Sequence, residues 1–104
     1  MSINTQVVGN SNTTVYTSTN STAITNLTLC NFSNANVTIR LHVVPNGTVV
    51  TTSNMMLDTL TITAHDTYVL YSGSEKLLLD NGDFINVFGS IDGAVTAITS
   101  YTAI

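Results

Sequence analysis

The stretch VTIRLHV, residues 37 to 43, decides the fold class: Val37, Ile39, Leu41 and Val43 alternate with Thr38, Arg40 and His42. Successive side chains leave an extended chain on opposite sides, so a period of two places one apolar face on a core and one polar face in water. On this reading His42 is a solvated residue of the outward face. Upstream, NFSNAN at 31 to 36 is turn material, because Asn and Ser side chains bond readily to their own backbone. TVYTS at 14 to 18 reads as a short strand, and a second strand runs through LTLC at 27 to 30. Downstream, Pro45, Asn46 and Gly47 predict a tight hairpin.

The run VVTTSNMMLD has no clear register, and TLTITA recovers the period with Leu60, Ile62 and Ala64 on one face. His65 and Asp66 mark a turn into TYVLY, and Gly73 marks another. Lys76 to Leu79, Phe84 to Phe88 and AVTAITSYTAI complete the pattern. About eight short strands with turn residues between them predict an all-β fold: a single antiparallel β-sandwich of jelly-roll or immunoglobulin-like topology. At 104 residues there is room for one core, so residues 1–104 read as one domain, with 1–13 as a flexible or partner-contacting N-terminal arm.

The chain holds 19 Thr, 12 Asn and 10 Ser against 8% charged residues, so its solubility rests on hydroxyls and amides. Arg40 and Lys76 are the basic residues and the net charge is −4, which leaves no positive field for a phosphate backbone and argues against nucleic-acid partners. No apolar run is long enough for a membrane helix, and the opening MSINTQVV lacks the basic and apolar regions of an export signal. The N-x-S/T triplets at Asn12, Asn20, Asn26, Asn31, Asn36 and Asn46 are then expected from composition rather than as glycan acceptors. Cys30, between Leu29 and Asn31 and close to Phe32, reads as a buried thiol.

Tests for catalysis give little. His42 and His65 have no HExxH, paired-Cys or G-x-S-x-G context. Asp80-Asn81-Gly82-Asp83 lacks the spacing and terminal Glu of a calcium loop; a weak ion between the carboxylates is the competing reading, and the favoured one is a turn whose Asp side chains satisfy open amides. No enzyme, cofactor or metal site is expected. With few charges to blunt strand edges, association with other chains is the economical remedy. Tyr68, Tyr71, Met55 and Met56 are the contact candidates, since aromatic and Met side chains contribute more to a protein contact than Thr does.

The order VYTSTNSTAITNLTLCN, ANVTIRLHVV and AHDTYVLYSGSEKLLLDNGDFINVFGSIDGAVTAITSYTAI resembles a family of small virion structural proteins of tailed bacteriophages, especially those of aquatic bacteria. The resemblance spans residues 14 to 104 and rests on the early Val-Tyr strand, the Lys-x-x-L strand at Lys76 to Leu79, the acidic-Gly-Asp turn and strand at Asn81 to Val87, and Ser-aromatic-x-x-Ile at Ser100 to Ile104. Cys30 departs from it, standing where a small polar residue is expected. The resemblance implies a β-sandwich assembled in the host cytoplasm into the virion, as a capsid decoration or cement protein. The alternatives are a tail, baseplate or fibre-attachment component, or a carbohydrate or host-surface binding module. It implies other virion proteins as partners, the major capsid protein or tail components, and a homo-oligomer, by analogy a trimer. It carries over no catalytic residue.

Overall fold

A computed structural model describes residues 2–70 and 77–104. Among them nine strands form two antiparallel sheets: β1 (Ser2–Val8), β2 (Thr13–Thr17), β3 (Thr22–Asn31), β4 (Val37–Val44), β5 (Met55–Ile62), β6 (Thr67–Leu70), β7 (Leu77–Leu79), β8 (Phe84–Gly89) and β9 (Val95–Ala103). One sheet has five strands in the order β1-β9-β3-β6, with β7 also paired to β3. The other has the order β2-β8-β4-β5. The fold is all-β, and the two sheets face each other in a β-sandwich-like arrangement.

The alternating stretch that set the expectation is β4. Val37, Ile39 and Leu41 are buried in the core, joined by Leu27 and Leu29 of β3, Ile85 and Val87 of β8, and Val95 and Ala97 of β9. Fully burying a Leu or Ile side chain contributes roughly 1.5–3 kcal/mol, so this layer supplies the main cohesion between the sheets. Tyr16 of β2 and Tyr101 of β9 extend it, their rings 4.6 Å apart across the gap between sheets.

Polar groups hold the crossings between sheets. The fully buried Asn31 ends β3, and its side-chain amide donates to the Ala35 carbonyl at 2.8 Å and the Ile62 carbonyl at 2.9 Å. Its side-chain oxygen accepts from the Ser33 backbone N–H and hydroxyl, at 3.0 and 2.7 Å. One side chain thus fixes both the β3-to-β4 loop and the end of β5.

Three expectations change, and one segment gains a strand: in residues 2–8, Ile3, Thr5 and Val7 give the period of two, and β1 pairs with β9 from Ser2↔Tyr101 to Val8↔Val95. The polar Asn4 and Gln6 masked that strand in the sequence, and the Asn4 amide donates inward to the Val15 carbonyl of the other sheet. Pro45, Asn46 and Gly47 form a turn with Thr48 N–H donating to the Pro45 carbonyl, but β5 begins only at Met55, after a 3-10 turn at Thr52–Asn54. His42 does leave β4 on the face opposite Leu41, yet it is only 4% exposed. Cys30 is half-exposed, because β3 directs Leu29 and Asn31 inward and therefore Cys30 outward.

Candidate functional site

The outer face of the five-stranded sheet follows from register. Inward residues Val8, Val95, Ala97, Leu27 and Leu29 are core, so their strand neighbours point outward. Cross-strand partners then form rows: Ile3, Ser100 and Asn26; Thr5, Ile98, Thr28 and Val69; Val7, Thr96, Cys30 and Thr67. Thr102, Ala23 and Leu78 make a fourth. Among the described residues this face carries no Asp, Glu, Lys, Arg or His. Ile3, Val7, Val69 and Leu78 on it are all at least half exposed, from 50 to 67%. The face ends at β1, an edge strand with no charged residue and an unbroken register.

The contact candidates are distributed elsewhere. Tyr68 is half-buried and packs against the core from β6, opposite Leu29. Met56 is exposed on β5, and Met55, half-buried, lines a cleft on the four-stranded sheet. Tyr71 lies outside the described residues.

That cleft, of about 560 Å³, lies over β4 and β8. Arg40, His42 and Phe88 contribute from the strands, Asn10, Ser11 and Asn12 from the β1–β2 loop, and Val50, Thr51, Thr52 and Met55 from the segment entering β5. Arg40 is opposite Phe88 in the ladder, and its guanidinium lies 5.4 Å from the ring centroid, a cation–π contact. Its Nε is 3.7 Å from an Asp58 carboxylate oxygen. Both partners are over half exposed, so the ion pair is weak.

The strand facing these residues is irregular. β5 pairs Ile39 with Leu60 but Leu41 with Leu57, so Asp58 and Thr59 together oppose Arg40. A second shift follows between Leu41 and His42. Thr59 has φ 53°, a left-handed conformation that costs a β-branched residue on the order of 1–2 kcal/mol. The bulge aims Asp58 at Arg40, and the Thr59 hydroxyl donates to the same carboxylate at 2.9 Å.

Two buried polar atoms here have no partner among the described residues: His42 Nδ1 and Asn86 Oδ1. His42 and Asn86 are cross-strand neighbours. Burial holds the His42 imidazole below its usual pKa of 6.5, the Arg40 charge adds in the same direction, and Asp58 opposes both. Sequence reading missed this site because periodicity assigns a face, whereas the burial comes from the distant loop segments that wall the cleft.

The acidic turn serves its own backbone. The two carboxylate oxygens of Asp83 accept from the Asn46 N–H at 2.8 Å and the Asp80 N–H at 2.9 Å. Gly82 has φ 87°, and a Cβ there would come within 2.5 Å of the Asn46 side chain. Calcium is therefore expected to leave the melting temperature unchanged in a thermal scan against EDTA, because Asp83 has no oxygen left unengaged; a saturable rise with calcium would contradict this. His65, exposed with φ 60°, has Nε2 2.7 Å from Asn34 Oδ1 and joins two loops at the sheet crossing. Comparison with protein-family models, curated proteins and solved structures finds no match to this chain.

Proposed function

We propose that the protein is a structural subunit of a bacteriophage virion, a capsid decoration or cement protein that acts by protein–protein contact. The observation that carries this reading is the outer face of the five-stranded sheet, uncharged among the described residues and continuous with the unprotected β1 edge. A net charge of −4 makes copies of the chain repel one another, and over this face they meet without bringing charges together. Exposed β-branched rows and an open strand edge suit packing and strand pairing with a second copy or another virion protein.

The strand order adds support. Sheets of β1-β9-β3-β6 and β2-β8-β4-β5, with strands passing repeatedly between them, support our reading of the sandwich as a jelly roll, an architecture used by viral capsid domains among others. That support is architectural analogy, since one fold hosts many functions. A cyclic trimer is the preferred oligomer: each copy then offers the flat face to one neighbour and the β1 edge to the next, a heterologous contact that closes a ring.

Two measurements test the reading. Sedimentation of the purified chain at micromolar concentration is expected to show a closed trimer. Mass spectrometry of purified phage particles from the host is expected to find the chain in many copies per particle; its absence from particles while abundant in infected-cell extract would overturn the proposal.

A further inference from the structure

The cleft on the other sheet has no part in this assembly role and calls for a ligand of its own. Its charged group is a guanidinium 5.4 Å from the Phe88 ring centroid, with Asp58 loosely at the Nε edge. The two terminal amino groups of Arg40 make no ion pair or hydrogen bond to any described residue, and such a pair matches a carboxylate bidentately. His42, 4% exposed, belongs to the lining of the same cleft, with its Nδ1 buried and unpartnered among the described residues. The side chains of Asn12, from the β1–β2 loop, and Thr52, from the segment entering β5, line it without hydrogen bonds to other described residues.

We propose that this cleft binds a hydroxylated carboxylate, of the chemical class of an acidic sugar, with Arg40 taking the carboxylate and Asn12 and Thr52 taking hydroxyls. The volume of about 560 Å³ lies within the range of small-ligand sites. Charge selects within the class. One cation in a protein of net charge −4 favours a single carboxylate and disfavours a polyanion. Neutral amides and hydroxyls around it match sugar hydroxyls better than an apolar side chain.

The strain at Thr59 points the same way. A β-branched residue in a left-handed conformation is held there by its surroundings, and here the bulge places Asp58 beside the Nε edge of Arg40, itself part of the cleft lining.

The test is titration of ¹⁵N-labelled protein with D-glucuronate, D-glucose and acetate, each to about 20 mM, a range that detects millimolar affinity. Glucuronate is expected to give saturable shifts at the amides of Asn12, Thr52 and Met55 and at the His42 ring, with affinity at least about tenfold above glucose or acetate. Arg40→Gln, which leaves the core untouched, is expected to weaken glucuronate by about tenfold or more. Methyl glucuronide separates two sources of this chemistry: equal affinity assigns the site to a glycan end, and loss assigns it to the free sugar acid. No saturable shift with glucuronate, or equal response to glucose, would overturn the proposal. The wild-type comparison stands even if the variant folds poorly, and it is independent of whether the chain assembles.

Discussion

The two outer faces of this molecule are built on the same antiparallel geometry and differ in what that geometry displays. On the five-stranded sheet the ladders between β1, β9 and β3 bring Thr, Ile, Val and Ser into rows with no charged side chain among the described residues. On the four-stranded sheet β5 is bulged twice, carries Asp58 opposite Arg40, and borders a cleft containing a buried imidazole. The lesson is that regularity and chemistry separate. An unbroken register yields a flat surface fit for another flat surface, and a bulged one turns side chains into a concavity. Charge also protects one edge and not the other: β5 is blunted by bulges and an Asp, whereas β1 is neither bulged nor charged.

The comparison depends on the crossings that hold the sheets in place, and breaking one is expected to have the largest effect. Asn31→Ala removes donors to the carbonyls of Ala35 and Ile62 and the acceptor of two Ser33 groups inside a fully buried site. Leaving such groups unsatisfied, together with the cavity, is expected to cost about 3 kcal/mol or more, read as a lower urea midpoint with an unchanged slope. A loss below about 1 kcal/mol would show that the loop repacks without it.

The next effect separates the faces directly. Ile98 is at the centre of the uncharged face, in the row with Thr5, Thr28 and Val69. Ile98→Lys is expected to weaken self-association about 100-fold, near 2.7 kcal/mol, while Thr14→Lys on the exposed outer face of β2 leaves it unchanged. Wild-type association should also change little with ionic strength, because the described residues of this face bring no charges together. Sedimentation in low and high salt measures both, and equal loss in the two variants would move the contact off this face.

Much of this fold was legible in the sequence, and the gaps have physical causes. The alternation of Val37 to Leu41 and the turn signals at Asn31 to Asn36 and Asp80 to Asp83 read correctly because each is local. β1 was missed because Asn4 and Gln6 occupy inward positions that a periodicity argument expects to be apolar. The cleft was missed because it is non-local: Asn12, His42 and Thr52 meet only when two loops fold over β4 and β8. The twofold offset of β5 was hidden as well, since the run from Val49 to Asp58 changes from a loop to a bulged strand without a Gly to mark the change. The contact candidates were chosen by residue type, which identifies sticky side chains but not the face they share; Tyr68 packs against the core and Met55 borders the cleft.

The smallest effect sharpens the contrast by pH. His42 has its pKa lowered in the folded state by burial, with Arg40 adding to the shift. The unfolded chain therefore binds a proton at this residue more readily than the folded one. Stability from the neutral imidazole is fully present above the unfolded value of 6.5, declines as pH falls below it, and levels off once pH passes under the folded value. Melting temperature is expected to drop modestly from pH 7.5 to pH 5.5, and His42→Gln should flatten that part of the drop. Comparing the two proteins isolates the residue, because His65 and every carboxylate are common to both. Self-association should stay level over the same interval, since the face proposed for it carries neither imidazole nor carboxylate among the described residues. If His42→Gln retains the full slope, the pH sensitivity lies outside the cleft. If association follows the melting curve instead, the charged face takes part in the contact and the division between the two faces fails.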